Sequence, residues 1–80
     1  MSVLHLLSKQ GDMRVEWDVD KAELGDPEAL AAIAEAERIL EEAQRGGGTA
    51  FAVRDGEAQV IDKFDRTAEK IVVVPRIVGG

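Results

Sequence analysis

The chain has 80 residues, 45% of them hydrophobic, and a formal charge of −6. That length allows one domain with one modest core, and the acidic balance argues against a nucleic-acid surface, which needs clustered Lys and Arg. With no cysteine there is no disulfide framework, thiolate metal site or cysteine nucleophile, and no apolar run reaches the roughly 20 residues that span a bilayer. Residues 1–7 lack the basic flank of a secretory leader, which together with the missing cysteines predicts a cytoplasmic protein.

Residues 3–8 read as a first strand, apolar and followed by the turn-prone Lys9-Gln10-Gly11-Asp12. Met13-Arg14-Val15-Glu16-Trp17 alternates apolar and charged, the two-residue period of a half-buried strand. The short gap between the two predicts an antiparallel hairpin. Residues 18–26 follow as an acidic loop holding Asp18, Asp20, Glu23 and Asp26. It lacks the glycine and closing glutamate of a calcium loop, so solvation is its expected state.

A helix comes next, with Asp26 as N-cap, Pro27 at the first helical position and Glu28 complementing the dipole. Ala29, Ala32, Ile33, Ala36, Ile39, Leu40 and Ala43 recur at spacings of three and four and form one apolar stripe. Glu35, Arg38, Glu41, Glu42 and Arg45 fall on the solvated side. Gly46-Gly47-Gly48 ends the helix, the first glycine being expected to take the left-handed conformation. A phosphate cradle would precede a helix rather than follow one.

The last third is β again. Residues 49–54 lead into Asp55-Gly56, a tight-turn signal, and residues 59–64 return. After a turn at 65–69 comes Lys70-Ile71-Val72-Val73-Val74, apolar on consecutive positions as in a strand with neighbours on both sides. The order is ββαβββ. One amphipathic helix must bury its stripe against the one sheet available. This predicts an α+β protein of β-grasp form, with the final strand parallel to the first in the middle of the sheet; the alternative is an antiparallel sheet packed on the helix with a different strand order. Ile33, Leu40, Phe51, Ile71 and Val73 are expected in one core. The domain is expected to occupy residues 1–75 and a flexible C-terminal diglycine tail residues 76–80.

Chemistry-bearing side chains are sparse. His5 is the lone histidine, set in an apolar strand, and reads as a structural or edge residue. The sequence instead ends in a bare diglycine, Gly79-Gly80, which can enter a channel too narrow for any residue with a Cβ.

The segment Lys70-Ile71-Val72-Val73-Val74-Pro75-Arg76-Ile77-Val78-Gly79-Gly80 resembles the C-terminus of ubiquitin-like sulfur carriers, including those of molybdopterin and thiamin synthesis. There a strand runs into a proline, an apolar pair and Gly-Gly. It is also similar to the end of ubiquitin, where an arginine and an apolar residue precede the diglycine. The resemblance spans the eleven residues 70–80, while residues 18–26 depart from the ubiquitin pattern.

The resemblance implies a ubiquitin-like modifier that is substrate and carrier rather than enzyme. Its Gly80 carboxylate, behind Gly79, would be adenylated by a ubiquitin-activating-type enzyme using ATP. Arg76 matches an arginine that such enzymes read, and Ile77 an apolar residue that anchors the tail. Val72 and Val74 match an exposed apolar patch used for partner binding, while Ile71 and Val73 match core positions. A conjugating enzyme and a deconjugating protease are the further partners implied, with no cofactor or metal held by the chain, which is expected to be a monomer alone. From the activated carbonyl two fates stay open: transfer to an amine, toward which Arg76 leans, or to sulfide as a thiocarboxylate, toward which Pro75 leans. A third alternative is a non-conjugated β-grasp interaction module acting through its sheet face or by adding a strand to a partner.

Overall fold

The computed structural model describes residues 1–8 and 11–76. Strands β1 (Ser2–Leu6) and β2 (Met13–Trp17) form the antiparallel hairpin, Ser2 opposite Trp17 and Leu6 opposite Met13. Helices α1 (Val19–Glu23) and α2 (Pro27–Arg45) follow, then strands β3 (Thr49–Arg54), β4 (Glu57–Ile61) and β5 (Lys70–Val74). The five strands make one mixed sheet in the order β2-β1-β5-β3-β4. β5 runs parallel to β1 and antiparallel to β3, so it is laddered on both edges. The architecture is α+β, a five-stranded sheet with one main helix, and is compatible with a β-grasp. No helix among the described residues is long and apolar enough to cross a membrane.

Alternation along each strand decides what faces α2. Leu4, Trp17, Ala50, Ala52, Ile71 and Val73 turn inward and meet the helical stripe of Ala29, Ile33, Ala36, Ile39 and Leu40. Trp17 is 1% exposed, and its indole N–H donates to the Arg66 carbonyl at 3.0 Å. Phe64 lies beside the indole with ring centroids 5.5 Å apart. One side chain thus fills the end of the core and holds the loop that leads into β5.

Several expectations are corrected. Phe51 is not in the helix-side core. Its neighbours Ala50 and Ala52 occupy that side, where small side chains let α2 approach the sheet, and alternation sends Phe51 to the opposite face. The acidic segment after Trp17 is partly helical: Asp18 caps α1 by accepting from the Lys21 N–H at 3.2 Å, and Ala22 buries its methyl. Asp26 holds the N-cap position of α2 without a side-chain cap bond. β4 begins two residues earlier than expected and ends at Ile61, because Asp55 (φ 49°) and Gly56 (φ 79°) alone form the turn and pairing starts at Arg54–Glu57. The left-handed residue after α2 is Gly47 (φ 90°), not Gly46 (φ −83°).

Candidate functional site

The root of the C-terminal tail is built by two elements distant in sequence. β5 brings Val74 opposite Thr49, and the chain continues through Pro75 to the exposed Arg76. The loop after α2 lies against this exit. A Cβ placed on Gly48 would come within 2.8 Å of the Val74 carbonyl oxygen and 2.9 Å of that of Ala43, distances that real Cβ atoms essentially never show, and within a tight 3.1 Å of the Pro75 Cα. A Cβ on Gly47 would lie 3.0 Å from Arg76 Cδ. The Gly48 N–H is held by the Ala43 carbonyl at 2.8 Å and the Gly47 N–H by that of Gln44 at 2.9 Å. The triple glycine therefore does more than stop a helix: it forms the seat on which the end of β5 rests. The Arg76 side chain crosses Gly47 at the C-terminal end of α2, where the partial negative charge of the helix dipole favours a cation. Sequence reasoning took these glycines as a terminator alone. The signal that pointed further is their number, since a helix stop needs one.

Ile77, Gly79 and Gly80, expected to anchor and carry the reactive end, lie outside the described residues. Arg76 and Pro75 mark where that segment departs.

The second feature is the sheet face opposite α2. In register across the strands run Arg14, His5, Val72, Phe51 and Val60. The next row holds Glu16, Val3, Lys70, Val53 and Ala58. Val74 stands beside Thr49 on the same face. No helix among the described residues covers these side chains. Val72 and Val74 are half-buried rather than fully exposed, because cross-strand neighbours such as Phe51 shield them laterally. The structure so brings Val72 and Val74 together with Phe51, a residue assigned from sequence to the other side. Val60, at the rim, is 69% exposed.

Other polar groups serve local structure. His5 Nε2 lies 3.3 Å from the Asp12 carboxylate and bridges the hairpin ends. Arg54 reaches Asp65 and Thr67, tying the end of β3 to the loop before β5. Hydrogen bonds from the Thr67 hydroxyl, with those from Arg54 and the Thr67 N–H, hold the Asp65 carboxyl below the usual carboxylate range. Among the described residues no group of three or more His, Cys, Asp or Glu could hold a metal ion. No family model, no curated protein and no solved structure matches this chain.

Proposed function

We propose that this chain is a ubiquitin-like β-grasp modifier, activated at Gly80 by an adenylating enzyme and passed to an amine on a target. The observation that carries the proposal is the position of β5. The central strand of the sheet, fixed by ladders to β1 and β3, is the one that leads through Pro75 and Arg76 into the diglycine. A reactive end needs a rigid handle, and a strand held on both edges and buried at Ile71 and Val73 supplies one. The strand order, with parallel first and last strands, supports the ubiquitin-like form of the fold.

The chemistry follows from the weakness of a carboxylate as an electrophile. Its charge repels nucleophiles and its oxygen leaves poorly, so the Gly80 carboxylate attacks the α-phosphorus of ATP, pyrophosphate leaves, and a mixed anhydride forms. A thiolate of the activating enzyme then takes the acyl group and AMP departs. An amine on the target takes the acyl group from sulfur, loses its proton and becomes an amide. Every catalytic group in this scheme belongs to the partners. The chain contributes a free carboxylate on Gly80, which termination or cleavage there provides. It also contributes Arg76 and Ile77 as contacts that offset the entropy of ordering the tail, and the face bearing Val72 and Val74 as a docking surface.

The test is to express the tagged chain in its native host and digest the purified material with trypsin. Target lysines bearing a remnant that ends in the Gly79-Gly80 pair support the proposal. A chain recovered only with its terminal oxygen replaced by sulfur would show sulfur transfer instead.

A further inference from the structure

The arginine at the tail root and the loop that closes α2 meet side chain to backbone. Three atoms along Arg76, its Cβ, Cδ and Nη1, lie 3.8, 3.0 and 3.6 Å from the point where Gly47 would carry a Cβ. Three contacts with one point mean that the stem lies flat over the glycine rather than standing away from it. Gly47 in turn is held by the bond from its N–H to the Gln44 carbonyl at 2.9 Å. One residue on, Gly48 is pressed to the backbone of Val74 and Pro75, with its N–H on the Ala43 carbonyl. Arg76 is thus located twice, its main chain through Val74 and Pro75 and its side chain through Gly47.

We infer that Gly47 is a positioning residue for Arg76: it seats the arginine stem against the end of α2, so that the guanidinium is presented in one orientation to a carboxylate of the activating enzyme. This inference rests on the reading of Gly80 as the activated end. A protein that grips a free arginine must stop several bond rotations at once. A stem already packed along its apolar length leaves only the planar fork to be met. Arg76 is exposed as a whole, so a bidentate carboxylate can reach that fork where it stands. Arg14, Arg38 and Arg54 pair with carboxylates of the chain, whereas among the described residues Arg76 has no such partner. The last carbonyls of α2 carry partial negative charge, which makes the seat favourable to the cation as well as open to its stem.

Two demands on position 47 can be separated. The loop needs a residue at φ 90°, and the arginine needs the place of a Cβ left empty. L-Alanine violates both. D-Alanine meets both, because positive φ is its natural region and its methyl stands on the other side of the Cα. A glycine kept only to end the helix would answer to the first demand alone.

The experiment joins ATP–pyrophosphate exchange to NMR of the Arg76 Nε–H in the full chain. In the free parent chain the heteronuclear NOE of that Nε–H should approach the values of the β5 amides, and in Gly47→Ala it should fall to that of a free side chain. Gly47→Ala should raise the KM for the chain about two- to tenfold at an unchanged maximal rate, the factor that goes with freeing one long side chain. D-Alanine at 47 should restore the parent KM. In an Arg76→Ala background Gly47→Ala should add nothing to KM. Should Gly47→Ala fail to fold, the Nε–H of the parent and the KM of the D-alanine chain decide. A freely moving Nε–H in the parent, a loss of maximal rate in place of KM, a D-alanine chain as impaired as the L-alanine one, or losses at 47 and 76 that simply multiply would each overturn the positioning role. Exchange absent with every adenylating enzyme would instead contradict activation at Gly80, and the Nε–H then decides by itself whether the stem is seated.

Discussion

Gly48 and Val74 stand in backbone contact: the place where a Cβ would sit on Gly48 is 2.8 Å from the Val74 carbonyl oxygen. This contact couples the end of α2 to the end of the central strand, and so to the start of the tail. Gly48→Ala should therefore push the loop off β5, at a cost of about 1–3 kcal/mol in unfolding free energy. Urea denaturation measures it, and amide shifts should concentrate at Val74 and Arg76. A midpoint equal to that of the parent chain would mean that the loop yields without cost.

The two faces of β5 should respond differently to truncation. Ile71 is wholly buried, and Ile71→Ala should cost about 2–5 kcal/mol. Val72→Ser, on the uncovered face, should cost much less while weakening association with an activating enzyme. Comparison of denaturant midpoints with binding isotherms separates the effects. Equal losses of stability at both positions would contradict the assignment of faces.

Trp17 offers a test of the loop anchor. Trp17→Phe keeps an aromatic ring but removes the donor to the Arg66 carbonyl, leaving that acceptor unpaired, and should cost about 1–3 kcal/mol. Faster hydrogen exchange at Ala68, whose N–H bonds the Asp65 carbonyl, should accompany it.

The Asp65 carboxyl has a lowered pKa in the fold, through the Thr67 hydroxyl first and Arg54 after it. A depressed folded value gives stability that is present above the ordinary carboxylate range and lost as pH falls through the folded value. Asp65→Asn should thus lower the urea midpoint at pH 7, and the gap between variant and parent should close on acidification. The effect is modest, because the Arg54 and Asp65 side chains are 50% and 36% exposed. A gap that widens in acid would refute the sign.

Much of the fold was legible because its signals are local and strong. The three-and-four spacing of the apolar residues located α2, and the uninterrupted Ile71-Val72-Val73-Val74 run announced a strand with neighbours on both edges. Phe51 was misplaced because alternation tells which residues share a face but not which face the helix covers. The larger side chain looked like core, yet the close approach of α2 selects Ala50 and Ala52. α1 is too short to show a period, and only its cap, Asp18, hints at it. The seat formed by Gly47 and Gly48 depends on contacts with Val74, at the end of β5, and with Arg76 beyond it, far along the chain, which no local pattern encodes.

The central claim is that the Gly80 carboxylate is activated with ATP, and ATP–pyrophosphate exchange with the adenylating enzyme encoded nearest this gene measures that step alone. The account predicts exchange that depends on the chain, is abolished by deletion of Gly80, and is weakened by Arg76→Glu, with the fold intact in both variants. Undiminished exchange without Gly80, or no exchange with any such enzyme, would contradict it.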